Sequence, residues 1–421
     1  MTARADAVAR IFSSLKVRNY RLYFAGQVIS LSGTWMQGVA QAWLILDLTG
    51  SGTALGLVSS LQFLPVLLFG PVGGVIADRF DKRRLLYGTQ VAAASLAAAL
   101  GVLVATGTVE VWMVYSLAAA LGFVYVVDNP ARQTFIVEMV GPGDLTNAVS
   151  LNSVLVNVAR VIGPGLAGVL IITVGLAPCF LINAGSYAAV VIALWLMRAE
   201  QLQPAGRTTR APGQLRAGFR YVRSTPEVLV PLVMMAVVGT LAYEFQVVLP
   251  LLARFTFEGD AGTYGTMSLL MGCGAIIGGL ATAGGGRQPA TALARTAIWF
   301  GSIHLAASFA PTLTIAYLAM VVLGAASIRF LALGNAILQL AAAPEMRGRV
   351  MALWGVAFLG STPIGGPLVG WVGEHIGPRV AMGLGGVATL ACGLLAYRAL
   401  ARIVMSENGG PTPIPPPKPP A

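Results

Sequence analysis

Gly70-Pro71-Val72-Gly73-Gly74-Val75-Ile76-Ala77-Asp78-Arg79-Phe80-Asp81-Lys82-Arg83-Arg84 is the stretch on which the fold turns. One long apolar run enters it and another leaves it. Between them sits a tight, basic turn headed by a carboxylate. The glycines carry no side chains, so a neighbouring helix can approach the backbone closely. Asp78 falls where the apolar run stops, which puts its carboxylate at a membrane edge. There it can meet a positive partner or the N-terminal end of another helix. Lys82, Arg83 and Arg84 mark that edge as cytoplasmic.

The rest of the chain has the composition this turn implies. Of 421 residues, 56% are hydrophobic and only 10% are charged. A soluble domain is about a quarter charged, so this chain is solvated mainly by lipid. The net charge of +11 does not point to nucleic acid, because Lys and Arg lie in short loops between apolar runs. Cys179, Cys273 and Cys392 all lie inside apolar stretches. They match no metal-site spacing and imply no disulfide framework, so their expected role is packing. The first 22 residues are polar and basic. The apolar run after them is too long for a signal-peptide core and reads as an uncleaved first span.

About 20 apolar residues cross a bilayer. Twelve runs qualify: 23–46, 54–77, 85–106, 111–131, 146–173, 178–197, 228–252, 264–284, 291–310, 313–340, 350–373 and 379–399. The expected fold is an all-α membrane protein with twelve transmembrane helices in two six-helix pseudo-symmetric halves. The expected divisions are a cytoplasmic N-terminal segment (1–22), an N-terminal half (23–197), a cytoplasmic linker (198–227), a C-terminal half (228–400) and a tail (401–421). With the N-terminus inside, 23 of the 27 Lys and Arg face the cytoplasm, a strong positive-inside asymmetry. Within the linker, Gln214 to Arg223 reads as an amphipathic helix on the anionic membrane face. The run Pro411–Pro420 reads as a polyproline II tail.

The two halves look like repeats. A shift of 202 superposes Pro142 on Pro344, Leu151 on Leu353, Gly163 on Gly365 and Gly168 on Gly370. A weaker echo sets Gly278-Gly279-Leu280 opposite Gly73-Gly74-Val75, with Ala283 where Asp78 would recur. Two parallel repeats about an axis along the membrane normal are a known transporter arrangement.

Polar residues facing hydrocarbon are costly, so polar stripes on spans mark cavities or packed helices. Gln27, Ser30, Thr34, Gln37 and Gln41 recur at spacings of three and four and share one face of the first helix. Two readings stand for them: interhelical hydrogen bonds, or the wall of a water-filled path. The fifth helix carries Ser150, Ser153, Asn157, Arg160 and Pro164 in the same register. The seventh offers Tyr243, Glu244 and Gln246, and the tenth offers Arg329, Asn335 and Gln339. Arg160, Glu244 and Arg329 are charged within spans, and Asp128 lies near the cytoplasmic end of the fourth. Glu244 suits reversible protonation, or else a static ion pair with Arg329. Asp128 is the second proton-coupling candidate. His304 reads as a satisfied buried imidazole.

The pattern Gly-x-x-x-Asp-Arg-x-x-Lys-Arg-Arg (Gly74, Asp78, Arg79, Lys82, Arg83, Arg84) resembles the loop between helices two and three of the major facilitator superfamily. Gly163-Pro164-Gly165-Leu166-Ala167-Gly168 resembles a shortened form of the glycine–proline motif in helix five of its antiporters. Further likenesses are Asn19–Gln27, Asp128-Asn129-Pro130-Ala131-Arg132-Gln133, Asp144–Ala148 and Arg347–Met351. Together they resemble the branch containing the bacterial enterobactin exporter and macrolide-efflux proteins, over about residues 15–400. The chain departs from that pattern in lacking the second-half Asp and in its proline-rich tail.

The resemblance implies a cytoplasmic gate in which Asp78 meets Arg132 and the start of helix eleven near Arg349, with Gly74, Arg79 and Arg83 beside it. It also implies proton-driven export of amphipathic small molecules such as drugs or siderophores, by a monomer in the bacterial inner membrane with both termini cytoplasmic. It calls for no cofactor or metal, and no Gly-x-x-x-x-Gly-Lys-Ser/Thr nucleotide site is present. A lysophospholipid flippase is the rival within transport. A membrane-embedded enzyme would need clustered catalytic groups that the sequence lacks, and a sensor would need a soluble output domain.

Overall fold

The computed structural model describes residues 12–203, 214–283 and 289–408. The start of the N-terminal segment, the middle of the linker and the proline-rich run lie outside the described residues.

The described chain is helical: α1 Arg18–Thr49, α2 Gly52–Arg79, α3 Lys82–Ala105, α4 Val111–Val174, α5 Ala177–Leu196, α6 Gln214–Ser224, α7 Pro226–Ala242 and α8 Phe245–Leu251. There follow α9 Ala261–Ala283, α10 Ala290–Ser308, α11 Leu313–Ala341, α12 Arg347–Leu359, α13 Thr362–His375 and α14 Pro378–Asn408. Local chemistry sets many of these ends. Gly50, at φ 63°, closes α1 in the left-handed conformation that glycine adopts without penalty. Ser51 caps α2 and Thr312 caps α11 through hydroxyls that accept from the backbone N–H three residues on. Phe80–Asp81 is the whole turn between α2 and α3, and Asp81 caps α3 by accepting from Arg84 N at 2.8 Å.

Among the described residues, nine helices are long and apolar enough to cross a membrane. Arg18–Thr49 is not one of them, because its glutamine stripe, two arginines and an aspartate offset its apolar face. Large apolar side chains cover the outside of the bundle, including Trp195 (72% exposed) and Leu395 (67%), as lipid solvation requires.

Four spans differ from the expectation. The fourth and fifth were expected as 111–131 and 146–173 with a loop between them. They are two helices that follow one another directly within Val111–Val174, meeting at a kink where Gly141 leaves the helical conformation at φ 68°. Pro142 restarts the helix there, so Asp144 and Thr146 sit in its first turns and not in a loop. The seventh breaks at Tyr243–Glu244, between α7 and α8. The eleventh breaks at Gly360–Ser361, between α12 and α13.

Two faces of the bundle are distinct. On the linker face, Asn19 and Arg198 exchange two hydrogen bonds (2.9 and 3.0 Å), and Arg83 Nε donates to Leu194 O at 2.9 Å. On the opposite face, the first half of α2 packs on α13: a β-carbon on Gly52 would sit 2.5 Å from Gly370 O, and one on Gly56 would collide with Gly366 O. The last part of α4 packs as closely on α9, where a β-carbon on Gly265 would lie 2.7 Å from Gly168 Cα. Gly168 and Gly370, which the 202-residue shift matches, thus each lie at a close helix crossing.

Both crossings part toward the linker face. Gly70 shares the α2 face of Gly56, yet a β-carbon there would meet nothing within 4 Å. On α4, Gly168, Val161, Val154 and Ser150 form one stripe. The first two pack on α9, whereas Ser150 and Val154 are exposed. The molecule is thus sealed on the opposite face and open on the linker face.

Candidate functional site

The first-helix stripe divides by position. Gln27 and Gln37 lie on its two edges and meet the neighbouring helices. Gln27 Oε1 accepts from Arg132 at 3.3 Å, and Gln37 Oε1 accepts from Asn183 Nδ2 at 2.6 Å. Thr34 Oγ1 donates to Ser30 O (2.9 Å) and lies 3.4 Å from Tyr187 Oη. Thr34 and Gln41 reach a cavity of about 190 Å³, shared with Trp35, Gln62, Tyr125 and, from α8, Gln246. The stripe is therefore part interhelical glue and part cavity wall. Trp35, Gln62 and Tyr125 escaped the sequence reading because each is a single residue with no periodic partner.

Asp128 is 1% exposed and fully engaged. It accepts from Thr89 Oγ1 (2.7 Å), from Gln90 Nε2 (2.9 Å) and from Arg132, one turn on. Arg132 is thus held by Asp128 and Gln27. Arg349 donates to Met346 Sδ (3.0 Å) and packs on Gly218 of α6. Arg83 donates to Leu194, Trp195 and Met197 carbonyls, so it caps the end of α5. Gly74 is buried, Asp78 half-buried and Arg79 exposed at the end of α2.

Glu244 is 4% exposed and stands at the break between α7 and α8. The break in the eleventh span faces it. Thr362, at the start of α13, stands near its carboxylate, and a β-carbon on Gly365 would lie 2.9 Å from Oε1. Oε1 itself has no hydrogen-bond partner. The alternative static pair is not formed: Arg329 is exposed, on the same α11 face as Leu318, Val322 and Leu340. That apolar stripe faces lipid, which removes Arg329 from the cavity. Asn335 accepts from Gln339 of its own helix. His304 is stacked between Phe245 and Phe300, with centroids at 5.5 and 5.7 Å. Its Nδ1 has no partner, contrary to the expected satisfied imidazole.

The helix-five motif is an interface. Gly163 lies against Ser32 and Trp35 of α1, and Pro164 and Gly168 lie against Gly265 of α9. Arg160, one turn earlier, places its guanidinium 4.9 Å from the Trp35 ring centroid. Asn157 Nδ2 donates to Ser153 O at 2.8 Å. Tyr243 donates to Ser327 O at 2.6 Å. The opposite face holds contacts that no motif signalled. Ser51 Oγ and Thr53 N both donate to Glu374 Oε2, at 2.7 and 2.9 Å, and Arg254 pairs with Asp47. No group of three or more His, Cys, Asp or Glu side chains among the described residues is arranged to hold a metal ion.

A helical membrane bundle sealed at one end, cleft at the other and polar at its centre defines a transporter. The chain belongs to the transmembrane secretion effector family of major facilitator transporters, whose sequence profile matches residues 9–418. It is similar to the uncharacterised transporter YfiS of Bacillus subtilis (29% identity, 51% of each chain). It is similar to the staphyloferrin A transporter of Staphylococcus aureus (26%, over 61% of this chain and 65% of that one). The matches thus span about half and just under two thirds of these two relatives. The multidrug efflux pump Tap of Mycolicibacterium fortuitum matches at 26% over 82% of this chain and 87% of its own. Among solved structures, a bacterial homologue of the human lysosomal transporter Spinster, inward-facing and unoccupied, shares the fold. Its TM-score is 0.70 at 14% identity, over 94% of this chain and 98% of that one. The peptide transporter POT gives 0.73 at 13%, over 91% and 94%.

Proposed function

We propose that the protein is a proton-coupled exporter of amphipathic small molecules, such as drugs or siderophores, working by alternating access. In this reading twelve spans form two six-helix halves, with α7–α8 and α12–α13 each counted as one broken span. The linker face is cytoplasmic, the membrane is the bacterial inner membrane, and the working unit is a monomer. The state described is then open inward. In the reverse state α2 and α12 close together, and Asp78 joins Arg132 and the start of α12 near Arg349 as a cytoplasmic gate. Rocking of the halves breaks one seal as it makes the other.

The observation that carries the coupling proposal is Glu244, an unpaired carboxylate at the meeting of two broken spans. Discontinuous helices near mid-membrane are where transporters of this architecture bind substrate and coupling ions. A carboxylate with no cation beside it changes charge without breaking an ion pair. Asp128, already satisfied by Arg132, Thr89 and Gln90, lacks that freedom. Inverted vesicles acidified inside should accumulate members of a dye and drug panel, and collapse of the proton gradient should abolish the uptake. Accumulation that ignores the gradient would remove proton coupling.

A further inference from the structure

Arg132, Arg160 and Arg329 lie on long apolar helices, and their surroundings differ. Arg132 is paired with Asp128. Arg329 lies on the lipid-facing stripe of α11. Arg160 is half-buried, and among the described residues no acidic side chain pairs with it. Its Nε is buried and has no hydrogen-bond partner. Its close neighbours are the Trp35 ring at 4.9 Å and, within electrostatic reach, the Tyr243 hydroxyl. Stacking on tryptophan offsets part of the lost hydration but uses none of the five N–H donors.

Trp35 is also a wall of the 190 Å³ cavity. The remaining polar lining is amide and hydroxyl, from Thr34, Gln41, Ser59, Gln62, Tyr125 and Gln246, and no lining side chain is charged. The cavity is smaller than the several hundred Å³ of an ordinary ligand pocket. It therefore takes one end of a cargo whose remainder lies in the cleft. Arg160 is not itself a lining residue; its guanidinium stands beside the cavity on the Trp35 ring, and no acid lines the cavity to receive a cationic end. Glu244 is likewise outside that lining, against Gly365, whereas Arg160 touches the lining residue Trp35. A carboxylate matches the guanidinium fork in two parallel hydrogen bonds, and a planar body stacks on Trp35 and Tyr125.

We propose that Arg160, held over Trp35, is an anchor for the carboxylate of an anionic cargo with a planar body. The proposal rests on the transporter reading and narrows its substrate class. Two dyes test it, because they share a xanthene plane and differ in charge: carboxyfluorescein, an anion, and rhodamine 6G, a cation. Fluorescence anisotropy on the purified full chain should show tighter binding of carboxyfluorescein. Arg160→Gln should weaken that binding at least tenfold and leave rhodamine 6G within twofold. Arg160→Lys should recover part of the loss. The anchor falls if carboxyfluorescein does not bind, if rhodamine 6G binds as tightly, or if Arg160→Gln leaves carboxyfluorescein within twofold. It falls equally if Arg160→Gln weakens both dyes together with thermal stability, which would make Arg160 a packing residue. Gradient-driven accumulation of rhodamine 6G alone would sink the anchor and leave the exporter reading standing.

Discussion

Asp128 and Glu244 are both carboxylates buried within spans, and their surroundings assign them different work. Asp128 closes a network of Arg132, Thr89, Gln90 and Gln27 drawn from three helices. Removing one partner of such a pair leaves an uncompensated charge, at a cost of roughly 3–5 kcal/mol. Asp128→Asn should therefore lower the thermal unfolding temperature in detergent markedly, and Asp128→Leu combined with Arg132→Met should recover most of the loss. Equal stability of Asp128→Asn and the parent would show that the pair does not hold these helices. Glu244 has no such pair to lose. Glu244→Gln should leave protein yield and unfolding temperature near the parent and keep cargo binding and downhill exchange, while gradient-driven accumulation disappears. Retained pH-dependent accumulation in Glu244→Gln would take the proton from this residue.

At the scale of the element, small residues decide how far each helix pair closes. Gly56 touches the Gly366 carbonyl in this state, whereas Gly70, on the same face of α2, touches nothing. Bulk at the two positions should act oppositely. Gly56→Leu should disfavour the seal on the opposite face and lower the unfolding temperature. Gly70→Leu should fold and unfold like the parent but fail to transport, because closure of the linker face needs that space. Normal transport by Gly70→Leu would mean that α2 and α12 never close there. Some element boundaries were readable and others were not. The amphipathic helix expected at Gln214–Arg223 is observed at Gln214–Ser224. The break in the eleventh span had a signal, since Gly360 ends one helix and Pro363 sits in the first turn of the next. The break at Tyr243–Glu244 had none, because neither residue is a helix breaker; in the fold it lies against Gly365 of α13.

For the whole molecule, a linker face inside the cell makes a labelling prediction. In a variant lacking Cys179, Cys273 and Cys392, Glu258→Cys on the opposite face should react with an impermeant thiol reagent in whole cells. Thr209→Cys, in the linker, should react only after the cells are opened. The reverse pattern would invert the topology and with it the direction of transport.

The class of the chain, an all-helical membrane protein, was determined by the sequence itself. Hydropathy and charge act locally, and a run of apolar residues meets lipid whatever its neighbours are. The 202-residue match of Gly168 and Gly370 was visible for a related reason, since close helix crossings need glycine. Which polar groups meet was decided only in three dimensions. Gln37 finds Asn183 146 residues away, and Arg132 reaches back 105 residues to Gln27. Such pairs depend on how each helix is rotated, and a rotation of one residue's 100° exchanges cavity for lipid. Thus Arg160 and Arg329, alike in the sequence as lone arginines in apolar spans, part company in the fold. One is half-buried over Trp35 and the other turns outward to the bilayer.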